Sequence, residues 1–192
     1  PVISVTQGPG EDEFTVIHAQ GETVIKKNPQ KIISFDVAAI ESIEALGGSL
    51  TGVPELATSN AYFSSDADYV GTLAEPDYEA VNALAPDLII VAGRSAAAYG
   101  DLSKIAPTID VSFANSMMDS FRQITSVLGA IIGNDDGANS AIVEIEDRVS
   151  ALKDSSAASG SAMVIMVSAG SVTALAPYNA RGGRGALVED PE

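Results

Sequence analysis

Cysteine is absent from this chain of 192 residues. Disulfide bonds and thiolate-bound metal sites are therefore excluded. Basic residues are also scarce: 10 Lys and Arg stand against 26 Asp and Glu, and the formal net charge is −16. Nucleic acids and anionic membrane surfaces are poor partners for such a protein, because binding them relies on Lys and Arg that neutralise phosphates. Solubility or a salty habitat also explains this acidity.

Long apolar runs and catalytic motifs are missing as well. Apolar runs such as residues 88–92 have the length of a strand and fall well short of the roughly 18 residues of a membrane span. The single histidine, His18, lies in a predicted hairpin, and we expect an ordinary strand histidine far from the sheet's carboxyl edge. A nucleophilic triad needs a histidine oriented by an acid. Dinucleotide and P-loop fingerprints are also absent. The sequence therefore does not predict an enzyme.

The order of predicted elements indicates an α/β protein. Residues 1–13, rich in Gly, Pro and acids, predict a flexible leader. A hairpin follows, and strands then alternate with helices that begin after the N-caps Asp36, Asp77 and Ser116. The predicted strands cover residues 14–18, 22–26, 31–35, 50–53, 88–92 and 108–112. Such alternation predicts a parallel, Rossmann-like sheet with helices on its faces, in an N-terminal lobe over residues 14–133.

The remaining third of the chain predicts a different unit. Residues 134–154 read as one long amphipathic helix, whose apolar stripe contains Ile142, Ile145, Val149 and Leu152. A linker of small residues precedes an apolar strand at 162–167 and a possible hairpin partner at 171–175. A strand of six apolar residues needs neighbours that bury its faces. We therefore expect residues 162–192 to begin a second α/β lobe that is incomplete in this sequence.

Arg94 is the candidate ligand-binding residue that the pattern itself supplies. It directly follows the buried strand at 88–92, at the carboxyl edge where open α/β sheets bind ligands. An arginine presents a fixed fork of donors that suits carboxylates, phenolates and phosphates. The alternative is a surface arginine paired with a nearby acid such as Asp101, and the pattern leaves both open. Asp135 and Asp136 lack the spacing of a calcium loop and are explained by helix capping, so no metal site is predicted.

Four segments of the sequence resemble the periplasmic iron–siderophore binding proteins. They are residues 28–36 (NPQKIISFD), 70–79 (VGTLAEPDYE), 83–94 (ALAPDLIIVAGR) and 105–108 (IAPT). The LxPDLI strand is shared with cobalamin, haem and siderophore binders, whereas the GTLxEPD segment and residues 93–95 (GRS) are more specific. The segments together resemble most the catecholate-siderophore branch. The resemblance runs from about residue 14 to residue 187. These proteins are the substrate-binding components of ABC importers, the class III receptors built around a helical backbone.

The resemblance implies both an architecture and a function. It implies two α/β lobes joined by one long helix, matched here by residues 138–153, with the ligand held in the cleft between the lobes. The protein is then a monomeric lipoprotein or periplasmic protein, with its signal peptide or anchor outside this chain. It captures a ferric siderophore of the catecholate class and delivers it to the membrane subunits of an ABC importer, without a further cofactor. The alternatives are haem, cobalamin or hydroxamate siderophores as cargo, or a truncated fragment without binding activity of its own.

Individual residues take roles from the same resemblance. Arg94 matches the first-lobe arginine that contacts the anionic siderophore. Arg184 fits the second-lobe arginine best, because the segment RGALVED keeps the spacing to an acidic residue, and Arg181 is the alternative. Glu79 matches the first-lobe glutamate that docks onto arginines of the membrane subunit. The helix dipole also favours a carboxylate at this position.

Aromatic contact with the ligand is expected from Tyr99, with Tyr62 and Phe63 as further candidates, although each is equally explained by packing. In the catecholate branch, a His and a Tyr that complete the coordination of iron come from a later region than residues 1–192. His18 is no substitute for them, so no protein ligand to iron is predicted in this sequence.

Overall fold

The N-terminal residues form a small antiparallel sheet. The computed structural model describes residues 3–55, 66–112, 116–154, 161–168, 171–179 and 183–184. Strands β1 (Ser4–Gln7), β2 (Glu13–His18) and β3 (Gly21–Lys26) pair in that order. The predicted hairpin is therefore confirmed. The prediction of a flexible leader over residues 1–13 is wrong for Ser4–Gln7, because this segment pairs with β2 and the preceding Ile3 is buried.

A five-stranded parallel sheet forms the centre of the first unit. Its strands are β4 (Ile32–Ser34), β5 (Gly52–Val53), β6 (Asp68–Tyr69), β7 (Leu88–Val91) and β8 (Thr108–Asp110). They lie in the order β6-β5-β4-β7-β8, and every pairing is parallel. This confirms the predicted α/β fold with a parallel sheet. The two-residue strand β6 follows the loop predicted at residues 57–67 and was not predicted.

Helices connect or follow the parallel strands, and side chains cap several of them where the sequence predicted caps. They are α1 (Val37–Ala45), α2 (Tyr78–Leu84), a 3-10 helix (Gly93–Ala98), α3 (Tyr99–Leu102), α4 (Met117–Ile132) and α5 (Asp135–Asp154). Asp36, Asp77 and Ser116 each accept a hydrogen bond from a backbone N–H of the first helical turn. These bonds satisfy donors that have no partner within the helix.

Strand β7 separates two hydrophobic cores. All four of its residues are fully buried, and their side chains alternate between the two faces of the sheet, as the period of a strand dictates. Leu88 and Ile90 belong to the core that also contains residues of α1, α4 and the N-terminal hairpin. Ile89 and Val91 belong to the core that contains residues of α2 and α3. Packing on both faces of the sheet therefore holds β7 in place up to its carboxyl end, just before Arg94.

The chain divides into two compact units, Pro1–Ile142 and Val143–Glu192. In the second unit, β9 (Ser161–Ser168), β10 (Ser171–Asn179) and β11 (Gly183–Arg184) form an antiparallel sheet in the order β11-β10-β9. The predicted strand and hairpin at 162–175 thus form their own sheet and do not extend the parallel one. On α5, the predicted stripe is half-buried at Ile142, Ile145 and Val149, whereas Leu152 is exposed. Within the described ranges, no helix is both long and apolar enough to cross a bilayer.

Candidate ligand-binding edge of the parallel sheet

Arg94 lies just after the carboxyl end of β7, the strand between β4 and β8, on the first turn of the 3-10 helix. Its side chain is exposed, and it makes no ion pair with any residue that the structure describes. Asp101, the acid that the sequence offered as its partner, instead pairs with Lys104 at 2.6 Å between Oδ1 and Nζ. The fixed fork of donors on Arg94 is therefore available to an anionic ligand.

Two serine hydroxyls hold the backbone on either side of Arg94. The N–H of Gly93 donates to Oγ of Ser112 at 2.8 Å, and Ser112 follows the neighbouring strand β8. Oγ of Ser95 accepts from the N–H of Ala92 at 3.0 Å and lies 3.2 Å from the carbonyl oxygen of Phe35, which follows β4. The segment that carries Arg94 is thus bonded to both strands that flank β7.

Tyr99 starts helix α3 and is half-buried. Its ring packs on the imidazole of His18, with 5.6 Å between the ring centroids and 55° between the ring planes, and its side chain also packs against the core that contains Ile89 and Val91. These contacts favour the packing explanation for Tyr99. A contact with a ligand stays a prediction. Tyr62 and Phe63 lie outside the described residues.

His18 lies beside the carboxyl end of β8, where the sequence did not place it. The expectation that it lies far from this edge is wrong, because the tip of the N-terminal hairpin folds against β8. Nδ1 of His18 is 3.2 Å from the N–H of Gln20 and 3.4 Å from the N–H of Asp110. A nitrogen that accepts from two N–H groups carries no proton, so the proton is assigned to Nε2, which lies 2.8 Å from Oγ1 of Thr23. Burial lowers the pKa of His18, and the nearby charge of Asp110 opposes this shift.

Two carboxylates lie at this edge of the sheet. Asp110 is buried at the end of β8, where Oδ2 accepts from Nε2 of Gln20 and Oδ1 accepts from the N–H of Ser112, both at 2.9 Å. Asp36 follows β4 and caps α1. Burial raises the pKa of Asp36, and the charge of Asp110 adds to the rise, against the hydrogen bonds from the N–H groups of Ala39 and Ala38. Among the described residues, no group of three His, Asp or Glu side chains is arranged to hold a metal ion.

The remaining predicted residues are Glu79, Arg184 and Arg181. Glu79 is exposed on the first turn of α2 and makes no hydrogen bond through its side chain or ion pair with a described residue. Arg184 is the last residue of β11, and its backbone pairs with Tyr178 in the second unit. Arg181 lies outside the described residues. Sequence reasoning missed Asp110, Ser112 and Ser95, although an acid and a serine at the end of a predicted apolar strand are a usable signal.

The sequence profile of the periplasmic binding proteins matches residues 32–188 of this chain. The chain belongs to the periplasmic binding protein family. This confirms the family that the motifs indicated. The family consists of substrate-binding proteins and not of enzymes, which confirms that expectation as well.

Several relatives are named for iron-chelate binding. The petrobactin-binding protein YclQ of Bacillus subtilis is 31% identical over 90% of this chain and 57% of its own length. The ferric-anguibactin-binding protein FatB of Vibrio anguillarum is 29% identical over 85% of this chain and 54% of its own length. The solved structure of the periplasmic catecholate-siderophore binding protein VctP of Vibrio cholerae matches with a TM-score of 0.74 at 28% identity, over 85% of this chain and 61% of VctP. Further relatives are named for ferric citrate and iron hydroxamate. The chain spans a little over half the length of the relatives described.

Proposed function

We propose that this chain is part of an extracytoplasmic solute-binding protein that captures an anionic ferric siderophore of the catecholate class and delivers it to an ABC importer. The observation that supports the proposal is Arg94, an exposed cation without an ion pair among the described residues, at the carboxyl end of the buried strand β7. In a chain of net charge −16, long-range attraction of an anion is unfavourable. Affinity must therefore come from a few arginines close to the ligand.

The other predicted residues take roles within this proposal. Arg184, or Arg181 in its place, supplies the second cation from the second unit, and Tyr99 adds aromatic contact. The relatives named for petrobactin and anguibactin, together with the catecholate binder VctP, support a siderophore as cargo. The relatives named for citrate and hydroxamate complexes make ligand class the first question for experiment.

A ligand panel tests the proposal. The protein is titrated by calorimetry with the ferric complex of a tris-catecholate, a ferric trihydroxamate, ferric citrate, haem and cobalamin. We expect micromolar or tighter binding of the tris-catecholate complex and a clear preference for it over the others. Residues 1–192 and the full gene product are titrated side by side. Binding by the full product alone assigns residues 1–192 to the fragment without activity of its own, and no binding of any siderophore by either rejects the proposal.

Substitution of Arg94 then tests the site itself. Arg94→Ala is expected to weaken binding of the ferric tris-catecholate by roughly tenfold or more, since hydrogen bonds to a charged group contribute about 1.5–3 kcal/mol. Arg122→Ala is the matched control. Arg122 is also a partly exposed arginine of the first unit, but it pairs with Asp119 on its own helix at 2.9 Å. Equal affinities of the two variants would show that Arg94 does not contact the ligand.

Glu79 is proposed as the docking carboxylate for the membrane subunits. It is exposed, close to the exposed Tyr78, and the N-cap Asp77 already satisfies the N–H of Glu79 at 3.1 Å. Glu79→Ala is expected to keep the affinity for the siderophore but to lower uptake by cells that depend on this protein. Glu41→Ala, an exposed glutamate on α1, is the control. Loss of uptake in both variants, or in neither, argues against docking through Glu79.

A further inference from the structure

We infer that Ser112 and Ser95 are positioning residues that fix the backbone on either side of Arg94 and thereby direct its guanidinium towards an anionic ligand. The inference rests on the ligand-binding role proposed for Arg94. Neither serine needs to touch the ligand for this role, because each acts on the chain that carries the arginine.

The bond from Gly93 to Ser112 fixes the residue before Arg94. Gly93 has a φ of +51°, a left-handed conformation. A residue with a Cβ adopts this conformation at a steric cost, whereas glycine adopts it without that cost. An unrestrained glycine also samples many other conformations, so a hydrogen-bond partner is needed to hold Gly93 in this one. That partner is Oγ of Ser112, 2.8 Å from the N–H of Gly93.

Ser112 is itself held in place by the end of β8. Its N–H donates to Oδ1 of Asp110 at 2.9 Å, and Oδ2 of the same carboxylate accepts from Nε2 of Gln20 at 2.9 Å. Asp110 is only 1% exposed. Buried polar groups with complete hydrogen bonding are rigid. The backbone of Ser112, whose hydroxyl accepts from the N–H of Gly93, is therefore held by a fixed carboxylate.

Ser95, the residue after Arg94, is fixed from the opposite side by the bonds of its own hydroxyl. Ser95 is only 1% exposed, and its Oγ accepts from the N–H of Ala92 at 3.0 Å. The same oxygen lies 3.0 Å from the carbonyl oxygen of Ala92 and 3.2 Å from that of Phe35, so its own proton has an acceptor. The N–H of Phe35 in turn donates to the carbonyl oxygen of Ile90 at 2.8 Å. Ser95 is thus bonded to the ends of both β7 and β4.

Fixing the backbone at Arg94 lowers the conformational entropy that is lost when the arginine becomes ordered on a ligand. The side chain of Arg94 has no ion pair with a described residue to hold it, and immobilising a long side chain on binding costs conformational entropy. A fixed backbone reduces the part of this cost that comes from the main chain. Only rotation about the side-chain bonds then remains to be ordered when a ligand binds, so the site is more preorganised than one on an unrestrained backbone.

A double-mutant cycle tests the inference. Ser112→Ala is made in the natural chain and in the Arg94→Ala background, and the dissociation constant for the ferric tris-catecholate is measured for all four proteins. We expect Ser112→Ala to weaken binding about fivefold in the natural background, the order expected from one neutral hydrogen bond, and to have no effect in the Arg94→Ala background. Ser112→Thr keeps the hydroxyl and is expected to restore the affinity.

Ser42→Ala is the control, because the hydroxyl of Ser42 is also bonded to the backbone, where it donates to the carbonyl oxygen of Ala38 at 2.8 Å, but this bond lies within α1 and does not involve the segment that carries Arg94. A ligand-free readout accompanies the cycle: Ser112→Ala should speed hydrogen exchange at the amide of Gly93. Equal losses in the two backgrounds, unchanged affinity in the natural background, or unchanged exchange at Gly93 each overturn the inference. If Arg94→Ala itself binds normally, the proposed role of Arg94 fails, whereas a failure confined to Ser112 leaves that role intact. Ser95→Ala repeats the cycle from the other side.

Discussion

Oγ1 of Thr23 lies 2.8 Å from Nε2 of His18 and 2.9 Å from the carbonyl oxygen of Thr108. The hydroxyl therefore accepts from the imidazole and donates to the strand. Two residues along β8, the carbonyl oxygen of Asp110 accepts from the N–H of Ala19 at 3.2 Å, and its N–H faces Nδ1 of His18. Thr108 and Asp110 are the residues of β8 whose polar backbone groups point away from β7. The hairpin tip bonds to both carbonyl oxygens and to the N–H of Asp110. Unpaired backbone groups at a sheet edge can pair with a strand of another chain, and these bonds oppose that pairing.

Thr23→Val should therefore destabilise the first unit out of proportion to its size. The substitution keeps the shape of the side chain but leaves Nε2–H of His18 and the carbonyl oxygen of Thr108 without a partner. Each buried unpaired group costs roughly 1–3 kcal/mol. We expect the free energy of unfolding in urea to fall by about 2 kcal/mol. Thr15→Val, in the same hairpin but outside these bonds, should change it by less than about 0.5 kcal/mol, and equal effects would contradict the prediction.

His18 should make the first unit less stable in mild acid. Burial lowers its pKa below the usual 6.5, so the unfolded chain takes up a proton at a pH where the folded chain does not. The free energy of unfolding should thus fall as pH drops from 7 through 6.5, until the folded pKa is reached. His18 is the only histidine in the sequence, so this pH range reports on it. Urea titrations of the natural chain and of His18→Gln should show a steeper fall in the former. Parallel curves would count against it.

Asp36 should show the opposite sign. Burial raises its pKa above 3.8, so the ionised carboxylate lowers stability at neutral pH, and this cost disappears as pH falls through the folded pKa. Asn also caps helices well. Asp36→Asn should therefore be at least as stable as the natural chain at pH 7, with the advantage gone below the usual pKa. Asp36→Ala, which loses the bond to the N–H of Ala39, should lose about 1 kcal/mol. An Asn variant no better than the Ala variant would falsify this account.

Gly71 should tolerate no side chain. Its φ is +96°, and a Cβ there would stand 2.5 Å from both the N–H nitrogen of Asp77 and the carbonyl oxygen of Glu75. The backbone of the turn before α2 must shift to relieve these contacts. We expect Gly71→Ala to lower the free energy of unfolding by roughly 2 kcal/mol or more, whereas Gly47→Ala, with a φ of +78° and open space around it, should cost only about 1 kcal/mol of backbone strain. Similar losses would show that the contacts around Gly71 yield easily.

Salt should speed the capture of an anionic siderophore. The net charge of −16 repels an anion at long range, and salt screens this repulsion beyond about 10 Å at 0.1 M. The association rate of the ferric tris-catecholate, measured by stopped flow, should rise between about 0.01 and 0.15 M salt, with a smaller change in dissociation. A neutral ferric trihydroxamate serves as the comparison ligand. A rate that falls with salt would indicate a local positive potential strong enough to dominate.

Local patterns were sufficient to predict most of the first unit. The apolar run at 88–92, the caps Asp36 and Asp77 and the hairpin all depend on neighbours in sequence, and the structure confirms them. Arg94 was predictable for the same reason, since a residue just after a buried parallel strand lies at the carboxyl edge wherever the strand sits in the sheet.

Contacts between distant residues were not predictable in the same way. His18 and Asp110 are 92 positions apart, and neither carries a local signal for the other. The pairing of Ser4–Gln7 with β2 was missed because Gly and Pro around it suggested disorder, whereas the pairing is decided by the neighbouring strand. The partner of Asp101 was also open in the sequence, and the helical spacing of three residues to Lys104 decided it.

The alternation along β7 bears on the order in which parts of the first unit open. Amide exchange is slowest where a segment is buried on both sides and is released only by global unfolding. Leu88–Val91 is completely buried, with one core on each face, so its central amides should be among the last to exchange. The hairpin or α2 can then open transiently while the segment beneath Arg94 stays folded. The lifetime of a bound ligand at this edge would accordingly be limited by dissociation of the ligand and not by local unfolding of β7.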